Sequence, residues 1–500
     1  MSDNIILLYD ELQNSIIEDI ARRIVKTGGV TASAAWQADM LQNSGMLYDE
    51  IINRIAETTE LSKEEVKQIF SEAQVEAIAF DNNIYREAGL APLENMSAQA
   101  LKIFNAGLRK TNGLIENLTM TTANTAQQAY INACTLAEMQ VESGAFGYQQ
   151  AIRSAVKSAA KGGAFVSYPS GHRDRLDVAI RRSLITGVGQ TTGAVSEQNA
   201  KDMGVDLMEI SAHYGARPSH AAWQGKIVSL SGKKGYLSKK DIGYGTGDGF
   251  KGWNCRHDWY PFFEGISERA YSKQQLKEYK NKKVVYNGQE MSYYDGTQKQ
   301  REMERQIRAT RRELNGYNAA MNATDDESIR TEIQKDFDNA AVKLKRQENA
   351  YFDFSDKTEL GADRFRLQTT GFNKSVSQKA VHVNKKMLQN QLPNGLIQID
   401  SRFDVQSDKI TKYLLKPGTK HADEFFSVGY SKLYPKQLYD DISTNFDLSK
   451  AVEKKSGYNG ATTFNIYMDL GVTVKKPFRT SWQIDAEGSK PRLITAHRKD

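Results

Sequence analysis

Cysteine is nearly missing from this chain of 500 residues: Cys134 and Cys255 lie 121 positions apart, in stretches of different character. No disulfide framework can be built from that count, and reducing conditions are the expected setting. Long apolar runs are missing too. Stretches such as Ile5 to Tyr9 fall far short of the roughly 20 residues a membrane helix needs. Met1-Ser2-Asp3-Asn4 places no basic segment ahead of an apolar core, so no secretory signal is expected, and the chain is expected to be made and folded in a cytoplasm. Basic residues are scarce at the front. Residues 1–100 carry seven Lys and Arg against seventeen Asp and Glu, so a net charge of only +6 for the chain conceals +16 over the other 400 residues. An acidic front and a basic rear point to different partners for the two ends. That density is too low to establish nucleic-acid binding, but it is compatible with a local phosphate-facing surface.

What is present is ordinary globular material, 39% hydrophobic and 26% charged. Its length leaves room for about three domains at roughly 150 residues each. Residues 1–200 read as helices, with Ile16, Ile17, Ile20, Ile24 and Val25 on one face, and Val66, Ile69 and Phe70 following the capping-box pattern Ser62-Lys63-Glu64-Glu65. Gly28-Gly29 and Gly89 to Pro92 are expected breaks. Tyr168-Pro169-Ser170-Gly171 predicts a turn before a helix bearing Arg173, Arg175, Arg181 and Arg182, read as a solvated face or a contact for an acidic partner or a phosphate backbone.

Residues 201–270 form a Gly-, His- and Trp-rich irregular subdomain. Residues 271–350 read as a helical hairpin or coiled-coil spacer. Its seams are Met303, Ile307, Thr310, Leu314, Tyr317 and Met321, then Ile329, Ile333, Phe337, Ala340 and Leu344 after a second capping box, Thr324-Asp325-Asp326-Glu327. Residues 351–379 read as a linker. Residues 380–500 read as an α+β module, with a short helix at Ile410 to Leu415 and strands at Thr463 to Met468, Thr480 to Ile484 and Arg492 to Ala496. The expected architecture is therefore multidomain, mainly α in front and α+β behind.

His213, His220, Cys255 and His257 supply the four nitrogen and sulfur donors of a tetrahedral structural zinc. The competing reading is hydrogen bonding within a compact Gly-rich subdomain, and a Cys-x-His pair can serve one metal only if the backbone between them bends sharply. The run Gly243-Tyr244-Gly245-Thr246-Gly247-Asp248-Gly249 lacks the Gly-Lys-Ser/Thr ending of a phosphate loop.

The segments Ser211 to Lys226, Gly243 to Gly249, Gly252-Trp253-Asn254-Cys255-Arg256-His257 and Tyr260 to Gly265, with Tyr168 to Gly171 and Arg181 to Gly187 ahead of them, closely resemble the phage minor capsid protein 2 family. That family belongs with the Mu-F-like head morphogenesis proteins, and the resemblance covers roughly residues 1–270. It implies a low-copy head protein that lies in the virion and has the portal and capsid proteins as partners. Many of these relatives have Cys-Arg-Cys where this chain has Cys255-Arg256-His257, together with an upstream Cys-x2-Cys that is absent here.

Residues 380–500 resemble small nuclease toxins of the barnase, EndoU, colicin and RelE-like group, on the segments Lys409 to Leu415, Gly418 to Phe426, Arg479-Thr480-Ser481-Trp482 and Pro491 to His497, and the resemblance implies helices followed by an antiparallel sheet. Metal-free RNA cleavage needs a base for the ribose 2′-hydroxyl, an acid for the leaving 5′-oxygen and cations for the phosphorane. His421 and His497 supply acid and base, Lys420 and Arg479 face the phosphate, and Thr480, Ser481 and Thr495 donate hydrogen bonds. Residues 471–500 carry a net +4, which suits RNA. This reading expects an RNA substrate, an immunity protein as partner and no cofactor. Its alternative is a wholly structural head protein whose C-terminal module binds nucleic acid or another head protein. Neither clustered carboxylates nor a nucleophile elbow appears there.

Overall fold

The computed structural model describes residues 3–27, 34–144, 146–397, 399–456 and 461–499, in two compact units that divide between Val376 and Ser377. The first unit is mainly helical and gathers around α1 (Asp3–Lys26). Ile16, Ile17, Ile20, Ile24 and Val25 of the expected face are all buried, but so are Ile5, Tyr9, Leu12, Ala21 and the polar Asp10, Gln13 and Asn14. A helix buried on nearly all sides needs neighbours on nearly all sides. They are α2 (Ala34–Glu87), α3 (Ala98–Glu142), α4 (Tyr148–Gly162) and, further along, α5 and α8.

The Gly28-Gly29 break lies outside the described residues. The Gly89 to Pro92 break is present, with Gly89 at φ +77° just past α2 and Ser97 capping α3. Ser62 caps nothing, because α2 runs straight through it. Its hydroxyl donates back to the Thr59 carbonyl (2.9 Å) and meets the Tyr9 hydroxyl of α1 (2.9 Å), a helix-interior use of serine that the capping pattern mimics.

Tyr168 to Gly171 turns between β1 (Val166–Ser167) and β2 (Arg173–Asp174), ahead of α5 (Leu176–Asp202). The expected irregular subdomain contains a four-stranded sheet. β3 (Leu207–Ile210) lies between β4 (Ile227–Ser229) and a last strand, β6 (Trp259–Pro261), with β5 (Leu237–Ser238) outside β4. The one-turn helix α6 (Pro218–Ala221) precedes β4. Trp223, Phe250, Trp259 and Cys255 form its buried core. The glycines of the connecting loop permit backbone-on-backbone packing: a Cβ at Gly249 would meet the Gly243 carbonyl at 2.0 Å, and one at Gly252 the Thr246 and Gly247 carbonyls at 2.3 Å.

After α7 (Lys273–Asn281), capped by the Ser272–Gln275 box, a hairpin of β7 (Lys283–Tyr286) and β8 (Gln289–Ser292) leads into α8 (Tyr293–Ala323) and α9 (Glu327–Lys357). Asp326, not Thr324, caps α9, its carboxylate accepting from the Ser328 and Ile329 amides. The two seams are buried as expected, apart from half-buried Met303. This pair is no spacer, however: α8 packs on α1 and α4, and α9 on α4. Arg153 and Lys157 of α4 each reach Asp336 of α9 at 2.7 Å. Buried Arg312 of α8 pairs with Asp10 of α1 and, at 3.1 Å, with Asp177 of α5, which Arg308 also approaches at 3.2 Å. Burial alone would raise the Asp177 carboxyl, but Arg312, Arg308 and Arg175 outweigh it and hold it at about 2. The expected linker is likewise largely built in. Residues 351–357 end α9, α10 (Lys374–Gln389) takes up 374–379, and between them Leu367 is buried and the Thr370 amide donates to Asp10 at 2.6 Å.

In the C-terminal unit, a short ladder of β9 (Leu396–Ile397) and β10 (Val405–Gln406) precedes a π-type turn at Lys409–Leu414, α11 (Lys420–Ser427) and α12 (Pro435–Asn445). An antiparallel meander follows: β11 (Val452–Ser456), β12 (Thr462–Leu470), β13 (Lys476–Ile484) and β14 (Arg492–Arg498). Phe464, Ile466, Met468 and Leu470 alternate inward on β12, and Phe478, Thr480 and Trp482 on β13. They meet Phe403, Phe425, Tyr439 and Phe446 in one aromatic core.

Candidate functional site

Among the described residues, each unit holds one cluster of His, Cys or carboxylate donors within 4.8 Å of one another. In the first unit, His220 sits on α6, while Cys255 and His257 lie on the loop entering β6. That loop turns sharply at Asn254, whose φ is +54°. Cys255 Sγ lies 3.7 Å from His257 Nδ1 and 3.9 Å from His220 Nδ1, and the two Nδ1 atoms lie 3.3 Å from each other. All three residues are buried. Burial pushes His220 down to about 4 and His257 to about 2, so both rings are neutral near pH 7. The outer nitrogens have oxygen partners: His220 Nε2 lies 2.9 Å from the Asp248 carbonyl, and His257 Nε2 lies 3.3 Å from Gln224 Oε1. His213 stands beside this trio, its ring stacked on His257 at 4.4 Å between centroids.

These histidines lie on the wall of a cavity of about 650 Å³. Arg217, Arg256, Arg301, Arg305, Arg308 and Arg366 also line it, facing acidic Asp10, Asp177 and Glu304. Burial, then Arg301 and Arg181, push the Arg366 guanidinium down to about 10. The arginines expected on one surface before and within α5 have separate tasks. Arg173 is exposed, Arg175 lies over the Phe165 ring at 4.1 Å, and Arg182 pairs with Asp174 and donates to the Tyr168 hydroxyl at 2.6 Å.

In the C-terminal unit, His421 in the first turn of α11 lies against His497 of edge strand β14, with ring centroids 4.2 Å apart. Glu424, one turn further along α11, brings a carboxylate oxygen within 4.8 Å of both rings. It also accepts the Arg498 amide at 2.9 Å. His421 Nε2 lies 3.2 Å from the Tyr413 hydroxyl, and His421 Nδ1 is buried with no hydrogen-bond partner among the described residues. Burial, then His421, with Arg479 and Lys420 adding to both, hold His497 below its ordinary value against an upward pull from Glu424.

Strand pairing sorts the other expected residues. Arg479 lies directly across from His497, and Ser481 across from Thr495, on the outer face of the sheet. Thr495 Oγ1 is 3.3 Å from His497 Nε2, and Ser481 donates to Asn465 at 2.7 Å. Exposed Lys420 opens α11. Thr480 is the misassignment. Fully buried, it donates to the Ile466 carbonyl (2.9 Å) and accepts from Trp482 Nε1 (2.8 Å), so it offers nothing to a substrate. Residue-type reasoning missed Glu424 and Tyr413 beside the two rings, and Asn465 and Tyr467, which donate to Glu453 at 2.6 and 3.0 Å. The last two were recoverable from the alternation Phe464-Asn465-Ile466-Tyr467-Met468, which turns both outward.

With this geometry in hand, comparison with known proteins separates the two units. The family model described as phage minor capsid protein 2 matches residues 1–356, ending one residue short of the end of α9. A structural protein of Lactococcus phage LL-H is 25% identical over 288 residues, which cover 55% of this chain and 75% of the relative. No solved structure matches. No described helix is long and apolar enough to cross a membrane.

Proposed function

Because the chain belongs to the phage minor capsid protein 2 family, we propose that its first unit docks at the portal during head assembly and that its C-terminal unit is a metal-independent ribonuclease carried with the head. Other head proteins are the partners of the first unit. For the C-terminal unit the partners are an RNA substrate and an immunity protein that protects the producing cell. The observation that carries the ribonuclease reading is the contact of His421 and His497, brought to 4.2 Å from 76 positions apart, with Arg479 directly across the ladder.

The chemistry follows from the surroundings. His497, held neutral by burial and nearby cations, takes the proton from the ribose 2′-hydroxyl as that oxygen attacks phosphorus. His421 delivers a proton to the departing 5′-oxygen, leaving a 2′,3′-cyclic phosphate. Arg479 and Lys420 stabilise the charge that develops on the phosphorane. Tyr413 and Thr495 orient the two rings through the contacts at 3.2 and 3.3 Å.

The full chain is expected to cleave RNA in EDTA, to leave cyclic phosphate ends and to be toxic inside bacteria. His421→Ala or Arg479→Ala should remove all of these. A wild-type chain that is inert on total RNA and harmless in cells overturns the ribonuclease and leaves a C-terminal unit that only binds. For the first unit, the chain should co-sediment with portal-containing heads; its absence from purified virions overturns that assignment.

A further inference from the structure

We infer that His220 Nδ1, Cys255 Sγ and His257 Nδ1 hold a zinc ion, with water completing the tetrahedron. The argument begins with where the protons must be. A carbonyl oxygen only accepts, so the Asp248 contact at 2.9 Å puts a hydrogen on His220 Nε2 and leaves a lone pair on Nδ1. The same holds for His257 by one further step. Gln224 Oε1 accepts the His213 amide at 3.1 Å. A backbone N–H can only donate, so this side of the Gln224 amide is oxygen, and His257 Nε2 at 3.3 Å must donate to it.

Two lone pairs therefore face each other across 3.3 Å in a buried place. No hydrogen bond can form between them. The one nearby donor is the Cys255 thiol, a weak one at 3.7 and 3.9 Å. A cation in the middle satisfies all three atoms at once.

The distances identify its size. Zinc bonds of about 2.0–2.1 Å to nitrogen and about 2.3 Å to sulfur imply tetrahedral edges of about 3.3–3.4 Å between nitrogens and about 3.6 Å between nitrogen and sulfur. The trio shows 3.3, 3.7 and 3.9 Å. Thiolate with imidazole selects zinc over magnesium or calcium, which want oxygen. His213, expected as the fourth donor, is not among the atoms that lie within 4.8 Å of one another: its ring stacks on His257 and its Nδ1 is committed to the Tyr214 carbonyl at 2.8 Å. Oxygen acceptors behind the two ligating rings are what a metal-bound histidine requires, since they fix its tautomer and orientation. The ion would tie α6 to the Gly-rich loop.

The full-length chain, prepared with zinc and without chelator, is expected to carry one zinc per chain by elemental analysis. Cobalt in place of zinc should show a thiolate charge-transfer band and tetrahedral ligand-field bands. Cys255→Ser should remove the charge-transfer band and weaken zinc binding by at least about a hundredfold, and Cys134→Ser should change neither. Gln224→Leu, outside the ligand set, should keep the band but weaken binding about 10- to 100-fold, which tests the site even if Cys255→Ser fails to fold. Zinc well below one per chain in the wild type, or a cobalt band that survives Cys255→Ser in folded protein, overturns the site as a whole.

Discussion

In the first unit, His220 and His257 are buried, with each outer nitrogen committed to an oxygen, whereas in the C-terminal unit His421 and His497 are half-buried and stand beside Lys420 and Arg479. The same residue type thus meets two environments. Fixed tautomers, inward lone pairs and a neighbouring thiol suit a permanent ligand set. Partial exposure, adjacent cations and a sheet face suit groups that must exchange protons and meet a polyanion. The contrast extends to the cores. The first unit buries ionised groups and offsets their desolvation with partners, as Asp10, Arg312 and Asp177 show. The C-terminal unit buries rings, with Phe403, Phe446 and Trp482 in mutual contact at 4.6–5.2 Å.

The largest expected effect tests the division of labour. His497→Ala in the full chain should lower RNA cleavage about 10²–10⁴-fold, the usual range for a general acid or base, while Cys255→Ser should leave the rate unchanged in folded protein. Rates that respond in the opposite way would break the contrast between the two clusters. Next, Arg312→Met leaves buried Asp10 without an ion-pair partner and Asp177 with Arg308 alone, and should cost about 3–5 kcal/mol, read as a lowered denaturant midpoint of the first unit. A loss below about 1 kcal/mol would show that water reaches the network. Lowering pH acts on the same group: the stability that Asp177 contributes is complete above about pH 4 and is lost as pH falls towards its folded value of about 2.

A smaller effect separates neighbouring residues on one strand. Thr480→Val leaves the Ile466 carbonyl and the Trp482 indole each without their partner and should destabilise the C-terminal unit by about 1–3 kcal/mol, without lowering cleavage per folded molecule. Ser481→Ala, on the opposite face, should leave the stability nearly unchanged. The smallest effect is a titration. The His497 ring signal, followed by NMR, should titrate below the ordinary value of about 6.5, and Lys420→Gln should move it upward. Burial is the leading cause of the depression, so the shift on removing Lys420 should be only a fraction of the whole. Folding stability responds with the same sign: this group's contribution is complete above about pH 6.5 and declines as pH falls below it.

Much of the local structure was legible in the residues. The stripes of α8 and α9 survive because three- and four-residue spacing is a property of one helix, readable without knowing its neighbours. The strands β12, β13 and β14 announced themselves by alternation between glycine and proline punctuation. The same alternation gives Thr480 the parity of Phe478 and Trp482 and so turns it inward, whatever the appeal of its hydroxyl. What left no local trace were contacts between distant polar residues. Nothing near Arg312 marks Asp10 as its partner, so the α8–α9 pair read as a free spacer. His421 and His497 were each nominated by chemistry, but only the fold brings them together. Ser62 misled because Ser-x-x-Glu also occurs inside helices. What separates the two cases is whether the hydroxyl turns forward to a free amide or back to the preceding turn, as Ser62 does to Thr59.

The pairing of Arg312 with Asp10 also carries a timetable. α1 leaves the ribosome some 300 residues ahead of the helix that neutralises its buried carboxylate. At about 5–20 residues per second, that interval is about 15–60 s. Through it, α1 has neither α8 nor, until later still, the Thr370 amide bonded to Asp10. The first unit therefore closes only after α9 and the segment behind it have been made. A nascent chain arrested before residue 312 should bind hydrophobic-recognising chaperones, and one arrested beyond residue 376 should release them.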